Sequence, residues 1–135
     1  MQLHTELFPD YFEAVHGHPP FPWQKRLLDK VMNEGWPRTI ALPTASGKTA
    51  VMDVAIFALA CQSSLPPEKR TAPRRVAMIV DRRIVVDDTY RRACRIREKL
   101  ENNQGNEVLK AVADALLSLG GEIPLDTALL RGGIY

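Results

Sequence analysis

The stretch Leu42-Pro43-Thr44-Ala45-Ser46-Gly47-Lys48-Thr49 constrains this chain more than any other feature. Before it, Arg38 to Leu42 is a short β-like run after the Trp36-Pro37 break. After it, Thr49 to Gln62 reads as a helix with Val51, Val54, Ala55, Ala58 and Leu59 on one side. A strand–loop–helix junction of this kind exposes the amides of the helix's first turn toward the loop, where the helix dipole favours negative charge. Gly47 lets the backbone approach a phosphate closely. Lys48 is placed to reach the β- and γ-phosphates of a nucleotide, and the Thr49 hydroxyl to hold magnesium. The small residues Thr44, Ala45 and Ser46 keep the cradle open. The full phosphate-loop pattern also has a glycine five places before Gly47, where this chain has Leu42. The match is therefore partial.

The rest of the chain supplies the setting. Asp10 to His16 is expected to form one short helix. His18-Pro19-Pro20-Phe21-Pro22 is stiff and extended, because each proline fixes its own φ and restrains the residue before it. A helix runs from Pro22, a favourable first position, to Glu34, with Leu27, Leu28, Val31 and Met32 as its apolar stripe and Gly35 as its stop. Ser63 to Pro73 is a loop, Arg75 to Val80 a short apolar strand, and Ile84 to Glu101 a long helix. Glu107 to Leu119 is a further helix closed by Gly120-Gly121, and Thr127 to Leu130 a last strand. This alternation predicts an α/β fold, a parallel sheet flanked by helices.

Charge is uneven. Residues 1–68 balance at −2, residues 69–99 at +7 and residues 100–135 at −3. The middle block holds Arg74, Arg75, Arg82, Arg83, Arg91, Arg92, Arg95 and Arg97. It reads either as a polyanion-binding face or as an ordinary solvated helix face. The longest apolar run, Val54 to Cys61, has eight residues, against about 20 for a membrane span, so no membrane partner is expected. Cys61 and Cys94 stand alone, which points to a reducing, cytoplasmic setting. His16 and His18 flank Gly17 with no carboxylate at ligand spacing, and a polar loop is the expectation for them.

The motifs resemble those of superfamily-two helicases. Pro43-Thr44-Ala45-Ser46-Gly47-Lys48-Thr49 looks like their motif I, which lacks the early glycine; many members have glycine where this chain has Ala45. Phe21-Pro22-Trp23-Gln24 resembles the motif that reads adenine, which makes Gln24 the adenine reader, since one amide offers both a donor and an acceptor. Val80-Asp81-Arg82-Arg83 lies where motif Ia contacts a single strand, and guanidinium groups suit phosphate oxygens. Leu130-Arg131-Gly132-Gly133 is similar to the double-glycine element, where Arg131 and the bare backbone of Gly132 and Gly133 approach the same strand. Taken in order, these segments are most similar to the CRISPR-associated helicase–nuclease of type I systems.

That resemblance implies a P-loop NTPase, RecA-like, with residues 1–22 as an N-terminal extension and residues 23–135 as an incomplete first motor domain. It implies ATP and Mg2+ as cofactors. The implied partners are single-stranded DNA, the remainder of the helicase with its second RecA-like domain, and a CRISPR surveillance complex. The family's Asp-Glu box, which holds magnesium and positions the attacking water, is not found; Asp87-Asp88 lies at a helix start instead. The chain is accordingly expected to be the N-terminal piece of a larger enzyme, with little or no hydrolysis alone. Two other readings remain open from the residues: another P-loop enzyme such as a small-molecule kinase, or a nucleic-acid-binding module with a non-functional phosphate loop.

Overall fold

The computed structural model describes residues 1–37, 48–72 and 83–128. Five α-helices account for most of them: α1 (Phe8–His16), α2 (Pro22–Glu34), α3 (Val51–Cys61), α4 (Arg83–Glu101) and α5 (Glu107–Leu117). Short 3-10 turns precede α1 (Thr5–Leu7), precede α3 (Lys48–Ala50) and lie in the following loop (Pro67–Lys69).

The helix ends follow from local chemistry. Pro9 sits in the first turn of α1, and Gly17 closes the helix in the left-handed region (φ 80°), its N–H donating to the Glu13 carbonyl. At the start of α2 the Phe21 N–H donates to Gln24 Oε1 at 2.9 Å while the Phe21 carbonyl accepts from the Gln24 N–H at 3.0 Å. This reciprocal closure satisfies amides that a helix start leaves open. Asn106 caps α5, its Oδ1 accepting from the Leu109 N–H at 3.0 Å.

The core is built by packing helix on helix. α2 lies on α3, α3 on α5, α4 on α5, and α1 on both α4 and α5. Phe8 and Tyr11 of α1 meet Phe57 of α3, with ring centroids 5.5 and 5.3 Å apart. Offset or edge contacts of this kind contribute about 0.5–1.5 kcal/mol each beyond their buried area. Every residue of α3 from Met52 to Ala60 is buried. The segment before Trp23 thus contributes Phe8, Tyr11, Phe12 and Val15 to the same core as α3 and α5.

This arrangement overturns the expected α/β fold. The described residues are helical and contain no strand and no sheet, which does not fit a P-loop, RecA-like parallel sheet flanked by helices. The physical reason lies in α3. It was expected to bury one side only, yet every residue from Met52 to Ala60 is buried, with α2 and α5 packed on it. The predicted strands at residues 38–42 and 75–80 lie outside the described residues. Of the predicted strand at 127–130, Thr127 and Ala128 are described and are not in a strand. Thr127 instead accepts a hydrogen bond from Arg97 Nη1 at 2.7 Å on α4.

Candidate functional site

Of the residues singled out in the phosphate loop, Thr44, Ala45, Ser46 and Gly47 lie outside the described residues. Lys48 and Thr49 open the 3-10 turn that leads directly into α3. The start of a helix at this point agrees with the sequence reading. Gln24 sits in the first turn of α2 and is 1% exposed. Its Oε1 is engaged by the Phe21 N–H, so the same amide oxygen that was assigned to adenine holds the helix start. Arg83 opens α4. Arg82, Arg131, Gly132 and Gly133 lie outside the described residues.

The basic block is only partly a solvated face. Arg91 Nη1 donates to Asp88 at 2.7 Å on the exposed side of α4. Arg97 is fixed by Thr127. Arg92 points inward: its side chain is 19% exposed and its Nε and Nη2 donate to Asp53 Oδ2 at 3.0 and 2.9 Å.

Asp53 is the centre of a cluster that sequence reasoning missed. It is fully buried. Its Oδ1 accepts from His16 Nε2 at 2.8 Å, and the His16 side chain is 1% exposed. With the proton on Nε2, the Nδ1 lone pair faces Arg95 Nη1 at 3.4 Å. Phe12 completes the site, its ring 4.6 Å from the His16 ring and 5.7 Å beneath the Arg92 guanidinium. One carboxylate therefore joins α1, α3 and α4. His16 closes α1, where the expected helix also ends, but its side chain is buried rather than lying in a polar loop. Its carboxylate partner lies 37 residues away in the chain, so no local spacing could have shown it. The available signal was a single acid in an otherwise apolar helical run.

Burial raises the Tyr11 hydroxyl well above its ordinary value of 10.0, and the nearby Asp53 charge raises it further, while Arg92 opposes them. The Tyr11 hydroxyl has no hydrogen-bond partner among the described residues.

The opposite end of α3 carries a second polar anchor. Gln62 Oε1 accepts from the Thr71 and Ala72 N–H groups, both at 2.9 Å, and its Nε2 donates to Thr71 Oγ1 at 2.7 Å. Thr71 Oγ1 in turn donates to the Val31 carbonyl on α2 at 3.0 Å. A groove of about 760 Å³ lies beside this end, between Met1, Cys61, Ser64, Lys110 and Asp114. None of the sequence-predicted site residues lines it. Burial pushes the Cys61 thiol up to about 12.

Among the described residues, no group of His, Cys, Asp and Glu is arranged to hold a metal ion. No described helix is long and apolar enough to cross a membrane. No protein-family profile, curated protein or solved structure matches the chain.

Proposed function

We propose that this chain is the ATP- and Mg2+-binding N-terminal portion of an ATP-dependent DNA helicase of the CRISPR-associated kind, meeting single-stranded DNA through its arginine-rich stretch and hydrolysing little or no ATP alone. No parallel sheet enters this reading. The observation that carries it is the continuity of Lys48–Ala50 with α3. In the sequence, the small residues Thr44, Ala45, Ser46 and Gly47 directly precede this helical start. Amides at such a junction have no intrahelical acceptor and are left for an anion. Lys48 supplies the positive charge for the β- and γ-phosphates, and Thr49 the oxygen for magnesium. Gln24 is the adenine reader in this scheme. Arg82, Arg83, Arg131, Gly132 and Gly133 form the strand contact.

Calorimetric titration with Mg-ATP tests the nucleotide part. The wild-type chain binds, and Lys48→Ala weakens binding at least about tenfold, the loss of one charge-assisted contact worth about 1.5–3 kcal/mol. Equal affinities reject the reading. Single-stranded DNA binding against salt tests the other part. About three phosphate contacts give a log–log slope near −2. Nucleotide binding without salt-sensitive DNA binding moves the assignment to a nucleotide-dependent enzyme for small molecules.

A further inference from the structure

Asp53 costs free energy to bury, and a buried ion pair is weak evidence of stability, because apolar residues of similar volume often serve as well or better. Its place in α3 suggests another use. A helix that is apolar on one stripe takes its rotation from that stripe. α3 has none to offer: Met52 to Ala60 are all buried. Sliding or turning such a helix meets apolar surface in every setting, so its register rests on side-chain shape, on Gln62 at its far end and on Asp53. Within α3, Asp53 is the one charged side chain. Its two oxygens are held from two different helices, Oδ1 by His16 of α1 and Oδ2 by Arg92 of α4. Both bonds survive for only one rotation and one height of α3. Thr49 stands four residues ahead of Asp53 and Lys48 five, with the 3-10 turn between leading into the helix without a break. Whatever fixes Asp53 also fixes where that turn stands.

We propose that Asp53, held by His16 and Arg92, is a positioning residue for the Lys48–Thr49 segment: it sets the register of α3 and thereby the site where the triphosphate and its magnesium are held. Polar groups buried inside an apolar contact are best attested in this registry role. The inference rests on the nucleotide-binding reading above. It adds that the buried cluster tunes affinity from inside the core, with no contact to the nucleotide.

The test separates register from stability. A triple variant, Asp53→Leu with His16→Phe and Arg92→Met, fills the cluster with apolar groups. Its thermal midpoint is read alongside Mg-ATP affinity by calorimetry. The expected result is a cooperative melt at or above the wild-type temperature with Mg-ATP binding weakened at least about tenfold. A folded triple variant that binds Mg-ATP within about twofold of wild type overturns the proposal. Should the triple variant fail to fold, the single changes at Arg92, which is partly exposed, decide. Arg92→Met weakens Mg-ATP binding and Arg92→Lys, which keeps the charge, restores most of it; equal affinities in both and in wild type overturn the proposal. A wild-type chain that binds no Mg-ATP overturns the nucleotide reading and this inference with it. That result is distinct from unchanged affinity in the variants.

Discussion

Replacing Tyr11 by phenylalanine is expected to stabilise the protein, and by an amount that grows with pH. Tyr11 is fully buried against Phe8 and Phe57, and its hydroxyl has no partner among the described residues. Leaving such a group unsatisfied costs about 1–3 kcal/mol. Tyr11→Phe keeps the ring contacts and removes that cost, so a gain of about 1 kcal/mol is expected near neutrality. The pH dependence follows from the raised ionisation of the buried phenol, caused first by burial and then by Asp53. Above its ordinary value of 10.0 the phenol loses its proton in the unfolded chain but keeps it in the fold. The folded state then binds more protons, so stability falls as pH rises, by about 1.4 kcal/mol per unit for this one group. This stability is fully present below the unfolded value and is lost progressively above it. The other ionisable groups are common to both proteins and cancel in the difference. Guanidinium unfolding followed by circular dichroism should give a gap of about 1 kcal/mol near pH 8 and about 2.4 kcal/mol near pH 11. A gap that stays constant with pH would mean that the phenol ionises freely in the fold. A variant less stable than wild type would mean that the hydroxyl is bonded. Either result refutes the reasoning.

Three further outcomes are expected. Phe57→Ala removes a fully buried ring that meets both Phe8 and Tyr11; it should cost about 3–5 kcal/mol in denaturant unfolding, and a loss below about 1 kcal/mol would deny the aromatic core. Asn106→Ala deletes the bond to the Leu109 N–H and should lower stability by about 1 kcal/mol, read as a shift of the urea midpoint with unchanged slope. Cys61, raised from 9.0 to about 12 by burial, should hold about a thousandfold less thiolate near pH 8 than an unperturbed thiol and alkylate correspondingly slowly; mass spectrometry of iodoacetamide adducts would expose the error if it labels as fast as free cysteine.

The helices were legible because their signals are local. Pro22 and Gly35 bracket α2, and the bounds found, Pro22–Glu34, coincide with those expected. α4 begins one residue before the expected Ile84 and ends at the expected Glu101, and α5 ends two residues before Leu119. In each case an apolar stripe at helical spacing and a breaker suffice. The fold class was read wrongly because a short apolar run between helices carries no record of what it pairs with. The sheet was inferred from alternation, whereas the described core is helix on helix.

Of the candidate site, the helix start at Lys48 and Thr49 was visible in the sequence, since Gly47 shortly precedes a helical run that is apolar but for Asp53. The engagement of Gln24 Oε1 by Phe21 was open to the same kind of reasoning, being a contact three residues apart. The ties on the basic block were partly so: Asp88 and Arg91 are three residues apart, whereas Arg97 and Thr127 are thirty apart.

Short-range rules, acting within four residues, thus determine where this chain turns helical and where each helix stops. The tertiary structure alone decided that Met52 to Ala60 of α3 are all buried and that Asp53 is met by His16 and Arg92, which lie 37 and 39 residues away. Helix propensity depends on neighbours along the chain. The choice of partner for a buried charge depends on which helices close around it, and that is settled only when the core packs.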